Sequence, residues 1–98
     1  MTVRHIVLFR FADGASDEQI AALSAGLDAL PTAIAEVRSY IHGRDLGLRA
    51  GNWDYGVVAQ FDSVEDFHVY REHPDHQALV RDLLDPISEE RASVQLDR

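Results

Sequence analysis

A chain of 98 residues with 46% hydrophobic and 27% charged residues has the composition of one globular domain, here expected over residues 1–98. Its net charge of −8 at pH 7 argues against nucleic acids and anionic membranes as partners, because both require a basic surface. The absence of cysteine excludes disulfides and thiolate metal sites. No apolar run approaches the ~20 residues of a membrane span, and the charged N-terminus does not resemble a signal peptide, so we expect a cytoplasmic protein.

The first predicted element is a strand over Val3 to Phe11, rich in β-branched and aromatic residues. One face of this strand carries Val3, His5, Val7, Phe9 and Phe11. The other face carries Arg4, Ile6, Leu8 and Arg10. Because both faces are apolar in the middle, both should be covered by other parts of the protein.

A helix follows, beginning after Ser16. Ser16 and Gln19 have the spacing of a capping box, in which each side chain bonds the other residue's backbone N–H. The apolar stripe of this helix consists of Ile20, Leu23, Leu27 and Leu30. Pro31 is predicted to end it.

Two further strands are predicted, over Glu36 to Asp45 and Trp53 to Phe61, with a glycine-rich loop between them. In the first, Val37, Ser39 and Ile41 lie on one side and Arg38, Tyr40 and His42 on the other. In the second, Trp53, Tyr55, Val57, Ala59 and Phe61 share a face. Tyr40, Tyr55 and Trp53 are interpreted as packing residues, and His42 and His68 as surface histidines.

The next helical region contains a break at His73-Pro74. Ser63 is the predicted N-cap of its first helix. Proline disfavours the helical conformation for the residue before it and suits the first position of a new helix. One helix should therefore end near His73 and another begin at Pro74, so that Tyr70, His73 and His76 turn toward a common space.

A last strand over Arg91 to Asp97, with Val94 and Leu96 pointing inward, completes the order β-α-β-β-α-β. This order is that of the ferredoxin-like α+β fold, a four-stranded antiparallel sheet with its helices on one face. The uncovered face is predicted to carry Ile6, Leu8, Tyr40 and Val58. An apolar face of this kind predicts a homodimer in which two sheets meet to form a barrel.

The chain resembles the stress-responsive dimeric α+β-barrel (Dabb) domain family over essentially its full length. The residues that carry the resemblance are the opening His5-Ile6-Val7-Leu8-Phe9, Gly43-Arg44-Asp45, Phe61-Asp62-Ser63, and Tyr70 with His73-Pro74-Asp75-His76.

That resemblance implies several possible functions. One member is the plant olivetolic acid cyclase, whose catalytic Tyr and His match Tyr70 and His76 and whose strand-one His matches His5. Tyr55 and Leu27 stand where that enzyme has a His and an aromatic hydroxyl. Another plant branch is a stress-associated protein with no assigned catalysis.

The resulting site hypothesis assigns three catalytic residues. His76 is the general base, Tyr70 donates a hydrogen bond to the oxygen that becomes an enolate, and His5 orients the substrate or His76. The expected substrate-binding residues are His73, Tyr55, Val7, Phe9, Leu27 and Phe67. In the competing interpretation, the histidines satisfy backbone groups freed at the break and Tyr70 is core packing.

A metal site of His5, His73 and His76 is disfavoured because no acidic ligand stands at a recognisable spacing, so neither a metal nor a cofactor is expected. The preferred function is a cofactor-independent cyclase, isomerase or lyase acting on an apolar oxo or polyketide-like compound. The alternatives are a non-catalytic stress-responsive or small-ligand-binding dimer, and a monooxygenase like the quinone-oxidising dimeric barrels.

Overall fold

The secondary-structure elements follow one another in the predicted order, and the computed structural model describes residues 1–98. The strands are β1 (Val3–Phe11), β2 (Ser39–Arg44), β3 (Tyr55–Phe61) and β4 (Ser88–Asp97). The helices are α1 (Asp17–Ala33), α2 (Val64–Glu72) and α3 (Pro74–Leu79), and α3 continues into a π-helical turn at Val80–Leu84.

The four strands form one antiparallel sheet in the order β2-β3-β1-β4. In the middle of the sheet, Val7 of β1 lies opposite Val57 of β3 on one side and Ser93 of β4 on the other. All the helices pack on one face, which we call the covered face. The predicted ferredoxin-like fold is confirmed.

Helix α1 begins as its sequence indicates. The Ser16 hydroxyl accepts a hydrogen bond from the Gln19 backbone N–H, and the Gln19 side chain accepts one from the Ser16 N–H. The predicted end at Pro31 is wrong, because the helix continues to Ala33. Proline removes its own N–H from the helix but not those of the residues after it. The Ile34 N–H still donates to the Leu30 carbonyl at 2.8 Å, so the last turn closes.

The hydrophobic core lies between the covered face and the helices. It consists of the α1 stripe, the inward residues of β3, and residues around the π-helical turn. Its members from α1 and β3 are Ile20, Leu23, Leu27, Leu30, Tyr55, Val57, Ala59 and Phe61. The other buried residues are Val3, Phe9, Ile34, Tyr70, Leu79, Leu84 and Ile87.

Strand β2 faces the opposite way from the prediction. Tyr40 and His42 point to the covered face, and Ile41 is 71% exposed on the other face. The error comes from Val37, which packs on the core from the turn before β2, where its N–H donates to the Ile34 carbonyl. Val37 therefore cannot be used to assign the inward and outward positions of β2.

Strand β4 also has the opposite facing. Val94 lies opposite Ile6 and Leu96 opposite Arg4, and both apolar side chains are more than 40% exposed. They lie on the sheet face away from the helices, which we call the open face. Its apolar residues are Ile6, Leu8, Ile41, Val58, Val94 and Leu96. None of the helices combines the length and hydrophobicity needed to cross a bilayer.

Candidate functional site

The helix break lies where the sequence predicts it. Helix α2 ends at Glu72, His73 is extended with φ −61° and ψ 135°, and Pro74 is the first residue of α3. The Nδ1 atom of His73 accepts a hydrogen bond from the Asp75 N–H at 3.1 Å and so caps α3. His73 therefore has the backbone role of the competing interpretation. His76, which bonds the Arg71 carbonyl, and Tyr70, which is buried in the core, fit that interpretation too.

The break brings Tyr70 and His76 together, with ring centroids 4.4 Å apart. His5 reaches the same place from the covered face of β1, with its ring 6.2 Å from that of Tyr70 and 4.9 Å from that of Phe67. The structure thus places the three predicted catalytic residues in one cluster, although they come from distant parts of the chain.

These residues line a cavity of about 530 Å³ between the sheet and the broken helix pair, which we call the site cavity. Its apolar wall includes Val7, Phe9 and Phe67, all predicted to contact substrate. The wall from β4 is Arg91, Ala92, Ser93 and Gln95, and the remaining lining residues are Arg71, Val80 and Leu84. The β4 residues were missed because the prediction turned the apolar side of that strand inward.

Hydrogen bonds fix which ring nitrogen of each site histidine carries the hydrogen. His76 Nδ1 lies 3.2 Å from the Arg71 carbonyl oxygen, which can only accept, so Nδ1 donates and Nε2 keeps a free lone pair. His5 Nδ1 lies 2.9 Å from the Gln95 side-chain nitrogen, which donates, so the His5 hydrogen is on Nε2. The pair therefore offers one acceptor and one N–H donor.

Both imidazoles are neutral at pH 7. Burial lowers the pKa of His5 to about 4, and the nearby His76 lowers it further in the same direction. Burial is also the main reason why the pKa of His76 is lowered; the hydrogen bond to the Arg71 carbonyl opposes it, and the charges of Arg71 and His73 add smaller lowering effects. A neutral His76 is available as a base over the physiological pH range.

Tyr70 is buried, and its hydroxyl lies 2.7 Å from the hydroxyl of Tyr40. Burial raises the pKa of Tyr70 to about 12, so the phenol keeps its hydrogen at neutral pH and can serve as a donor. Tyr40 was predicted to be a packing residue on the open face. It is a hydrogen-bond partner of the site instead.

A second polar cluster lies beside the first, at the β2 end of the covered face. Tyr55 Oη and Asp28 Oδ1 each lie 2.7 Å from a nitrogen of His42, whose side chain is only 7% exposed. The prediction of a surface His42 is wrong, because the reversed facing of β2 carries it inward. His68 is exposed as predicted.

Three residues expected to bind substrate lie outside the site cavity. Tyr55 is engaged with His42, Leu27 is buried in the core of α1, and His73 caps α3. No group of three or more His, Cys, Asp or Glu side chains has the arrangement needed to hold a metal ion.

Sequence comparison identifies the family. Residues 3–97 match the profile of the stress responsive A/B barrel domain, Dabb. The chain belongs to the Dabb family. No curated protein is significantly similar to this Dabb domain in sequence.

Solved structures share the fold of this Dabb domain. A dimeric ferredoxin-like protein of unknown function from Thermobifida fusca is 42% identical, with a TM-score of 0.91 over 98% of this chain and 90% of its own. A dimeric protein of unknown function from Bacteroides fragilis is 28% identical, with a TM-score of 0.85 over 99% and 96%. The hydroxynitrile lyase from Passiflora edulis is 26% identical, with a TM-score of 0.85 over 97% and 91%.

Proposed function

We propose that this Dabb domain is a homodimeric, cofactor-independent enzyme of the cyclase, isomerase or lyase kind, acting on an apolar oxo or polyketide-like compound. One observation carries the proposal. A neutral His76 with its Nε2 lone pair free stands against a protonated Tyr70, in a cavity with one apolar wall and polar side chains on its β4 side. A base beside a hydrogen-bond donor is the arrangement needed to remove a proton next to a carbonyl group.

The first step is proton transfer to His76. Nε2 takes a hydrogen from the carbon next to the substrate carbonyl, and the C–H electron pair forms the carbon–carbon double bond of an enolate. Tyr70 donates a hydrogen bond to the oxygen on which the negative charge develops. His5 offers its Nε2–H as a second donor that orients the substrate.

The enolate has two outcomes that regenerate the neutral base. In isomerisation, His76 returns the proton to a different atom of the substrate. In cyclisation, the enolate carbon forms a bond to a second carbonyl carbon, and the oxygen of that carbonyl takes the proton from His76. Both sequences balance without an oxidant or a metal ion.

The same base can also remove the proton of a hydroxyl group. In a hydroxynitrile, removal of the hydroxyl hydrogen by His76 allows the bond to the nitrile carbon to break, with its electron pair leaving on cyanide and a carbonyl group forming. Cyanide then takes the proton from His76. The 26% identity to the Passiflora edulis hydroxynitrile lyase makes this the first lyase reaction to test.

The size and lining of the cavity set the substrate class. A volume of about 530 Å³ lies within the ~300–1,000 Å³ typical of small-molecule sites. Val7, Phe9 and Phe67 provide the apolar contact, while Ser93 and Gln95 add polar groups on the β4 side. The apolar wall suits the aromatic or alkyl part of a ketone, and Arg71 and Arg91 in the same lining suit an oxygen atom that carries negative charge.

The homodimer is part of this proposal. The open face offers apolar side chains that no helix of the same chain covers, and the Thermobifida fusca and Bacteroides fragilis relatives are dimeric. Two open faces packed together would form the barrel.

Two probes test the proposed chemistry on the purified protein. Deuterium uptake by phenylacetone, followed by NMR, reports proton removal next to a carbonyl, and benzaldehyde absorbance reports cleavage of mandelonitrile. We expect catalysis of at least one, lowered about 10²–10⁴-fold by His76→Gln. His68→Gln, an exposed histidine of α2, is the matched control and should leave the rate unchanged.

The second candidate function, a non-catalytic binder of small apolar ligands, is favoured by the same apolar wall. It predicts that phenylacetone binds, with shifts of NMR signals from Phe67 and Val7, while neither probe reacts faster than in buffer. That result would overturn the enzymatic proposal.

A further inference from the structure

Tyr40 contacts Tyr70 from outside the site cavity. It lies on β2, outside the lining of the site cavity, and its hydroxyl is 2.7 Å from that of Tyr70. This is the one hydrogen bond that the Tyr40 side chain makes within the chain. Because Tyr40 does not line the site cavity, it can act on a substrate there only through Tyr70.

Two aromatic contacts hold Tyr40 in this position. Its ring packs edge-on against Tyr70 at 6.1 Å and edge-on against His42 at 5.9 Å. His42 is itself fixed through both ring nitrogens, by Tyr55 and by Asp28. The row of side chains from Asp28 to Tyr70 is therefore anchored at the surface and ends at the site cavity.

The direction of the Tyr40–Tyr70 hydrogen bond decides what Tyr70 can do. A phenol has one hydrogen and accepts through its oxygen. If Tyr70 donated to Tyr40, its hydrogen would be used inside the core and the hydrogen of Tyr40 would have no acceptor within the chain. If Tyr40 donates, its hydrogen is satisfied and the hydrogen of Tyr70 is left for the cavity. The second arrangement therefore leaves no hydroxyl hydrogen inside the chain without an acceptor.

We propose that Tyr40 is a positioning residue that donates its hydrogen bond to the Tyr70 oxygen and thereby directs the Tyr70 hydrogen toward the substrate. This inference rests on the proposed function, because it assigns a role to Tyr70 as donor. The bond also opposes the effect of burial on Tyr70, since a donated hydrogen bond stabilises the phenolate and lowers the pKa of Tyr70.

A double-mutant cycle tests this role with the probe that the wild-type protein turns over. Tyr40→Phe keeps the ring and removes the hydroxyl. We expect about a tenfold loss of kcat, which corresponds to the contribution of one hydrogen bond, with little change in KM. Because Tyr40 acts through Tyr70, the Tyr40→Phe, Tyr70→Phe double variant should be no slower than Tyr70→Phe. Additive losses, or no loss from Tyr40→Phe, would overturn the proposal.

A second readout needs no substrate. With tyrosines labelled at the Cζ carbon, NMR titration follows the ionisation of Tyr70, assigned by its loss in Tyr70→Phe. Removing a donor should raise the pKa of Tyr70 above its wild-type value of about 12, so ionisation at a fixed alkaline pH falls in Tyr40→Phe. Unchanged or increased ionisation would mean that Tyr40 is not the donor.

The two measurements separate the possible failures. A wild-type protein that turns over neither probe contradicts the proposed function, while the titration still decides the direction of the hydrogen bond. An active wild-type protein with additive variants retains the proposed function and excludes the positioning role of Tyr40.

Discussion

Single hydrogen bonds determine the chemistry of the site at the scale of the residue. His5 and His76 are both neutral histidines, yet the carbonyl of Arg71 leaves one with a free lone pair and the amide of Gln95 leaves the other with a free N–H. Neither of these partners carries a charge. Two uncharged groups, a backbone carbonyl and a side-chain amide, therefore make one ring an acceptor and the other a donor.

In the proposed mechanism, the pH dependence of turnover follows from His76. Because burial lowers the pKa of His76, the base is protonated only in acid, and kcat/KM for the active probe should be constant near pH 7 and fall with a midpoint below 6.5. The phenol of Tyr70, with its pKa of about 12, adds no change near neutrality. A pH–rate profile measures this, and an acid limb centred above pH 6.5 would contradict the assignment.

The stability of the fold should depend on His5 in the same range. Its pKa is about 4 in the folded protein and near 6.5 when unfolded, so between these values the unfolded chain binds more protons. Stability is full above pH 6.5 and falls as the pH drops toward 4, by about 2 kcal/mol once the partial exposure of His5 is allowed for.

Urea unfolding of the wild-type protein and of His5→Gln at a series of pH values isolates this effect from that of the carboxylates. The variant keeps a polar side chain but no group that titrates there. Its free energy of unfolding should fall less between pH 6.5 and 4, and parallel curves for the two proteins would exclude His5 as the cause.

The residues of the site were only partly predictable. The grouping of Tyr70, His76 and His5 could be predicted because the break at Pro74 and the alternation of β1 are local features, and the family resemblance marked the same positions. The contacts of Tyr40 and His42 could not be found, since they depend on which way β2 faces. That choice is made by the packing of the whole sheet.

At the scale of the element, the facing of β4 explains why an apolar pattern misled the prediction. Inward positions are normally apolar, but here Ser93 and Gln95 point inward and Val94 points out. The inward side of β4 borders a cavity rather than a packed core, and the open face is itself apolar. A strand between a polar-lined cavity and an apolar surface reverses the usual pattern.

The contact between α1 and α3 depends on Gly26. A Cβ atom built there would lie 2.8 Å from Leu83 Cδ1 and 3.0 Å from Leu79 Cδ1, so the helices meet where α1 has no side chain. We expect Gly26→Val to lower the free energy of unfolding by about 2 kcal/mol through overpacking. Ala25→Val, at the exposed neighbouring position, is the control for the helix propensity of valine and should cost under about 1 kcal/mol. No loss, or a gain, from Gly26→Val in urea unfolding would show that the contact does not matter, because valine has a higher helix propensity than glycine.

At the scale of the whole molecule, the open face is the surface that lacks packing and hydrogen-bond partners. Besides its apolar residues it contains Arg4 and Arg10, whose Nε atoms are buried without a hydrogen-bond partner in the chain. Buried donors usually find an acceptor, so these two at either end of β1 are consistent with a second subunit that supplies one.

A charge on the open face should therefore separate the proposed dimer. Val94 on the open face and Val69 on α2 are 48% and 43% exposed, so a lysine is equally well hydrated at either position in an isolated chain. We expect Val94→Lys to give a monomer in native mass spectrometry or sedimentation, because pairing would bury an uncompensated charge. Val69→Lys should remain a dimer. A dimeric Val94→Lys protein would place the interface elsewhere.

The placement of the three site residues on two different walls has a stereochemical consequence. His76 and Tyr70 come from the broken helix pair and His5 from the sheet, so the proposed base, His76, would approach a bound molecule from one side only. The two hydrogens of a methylene group next to a carbonyl are then inequivalent in the cavity. Deuterium exchange should be selective for one of them, and any new chiral centre formed there should have a single configuration.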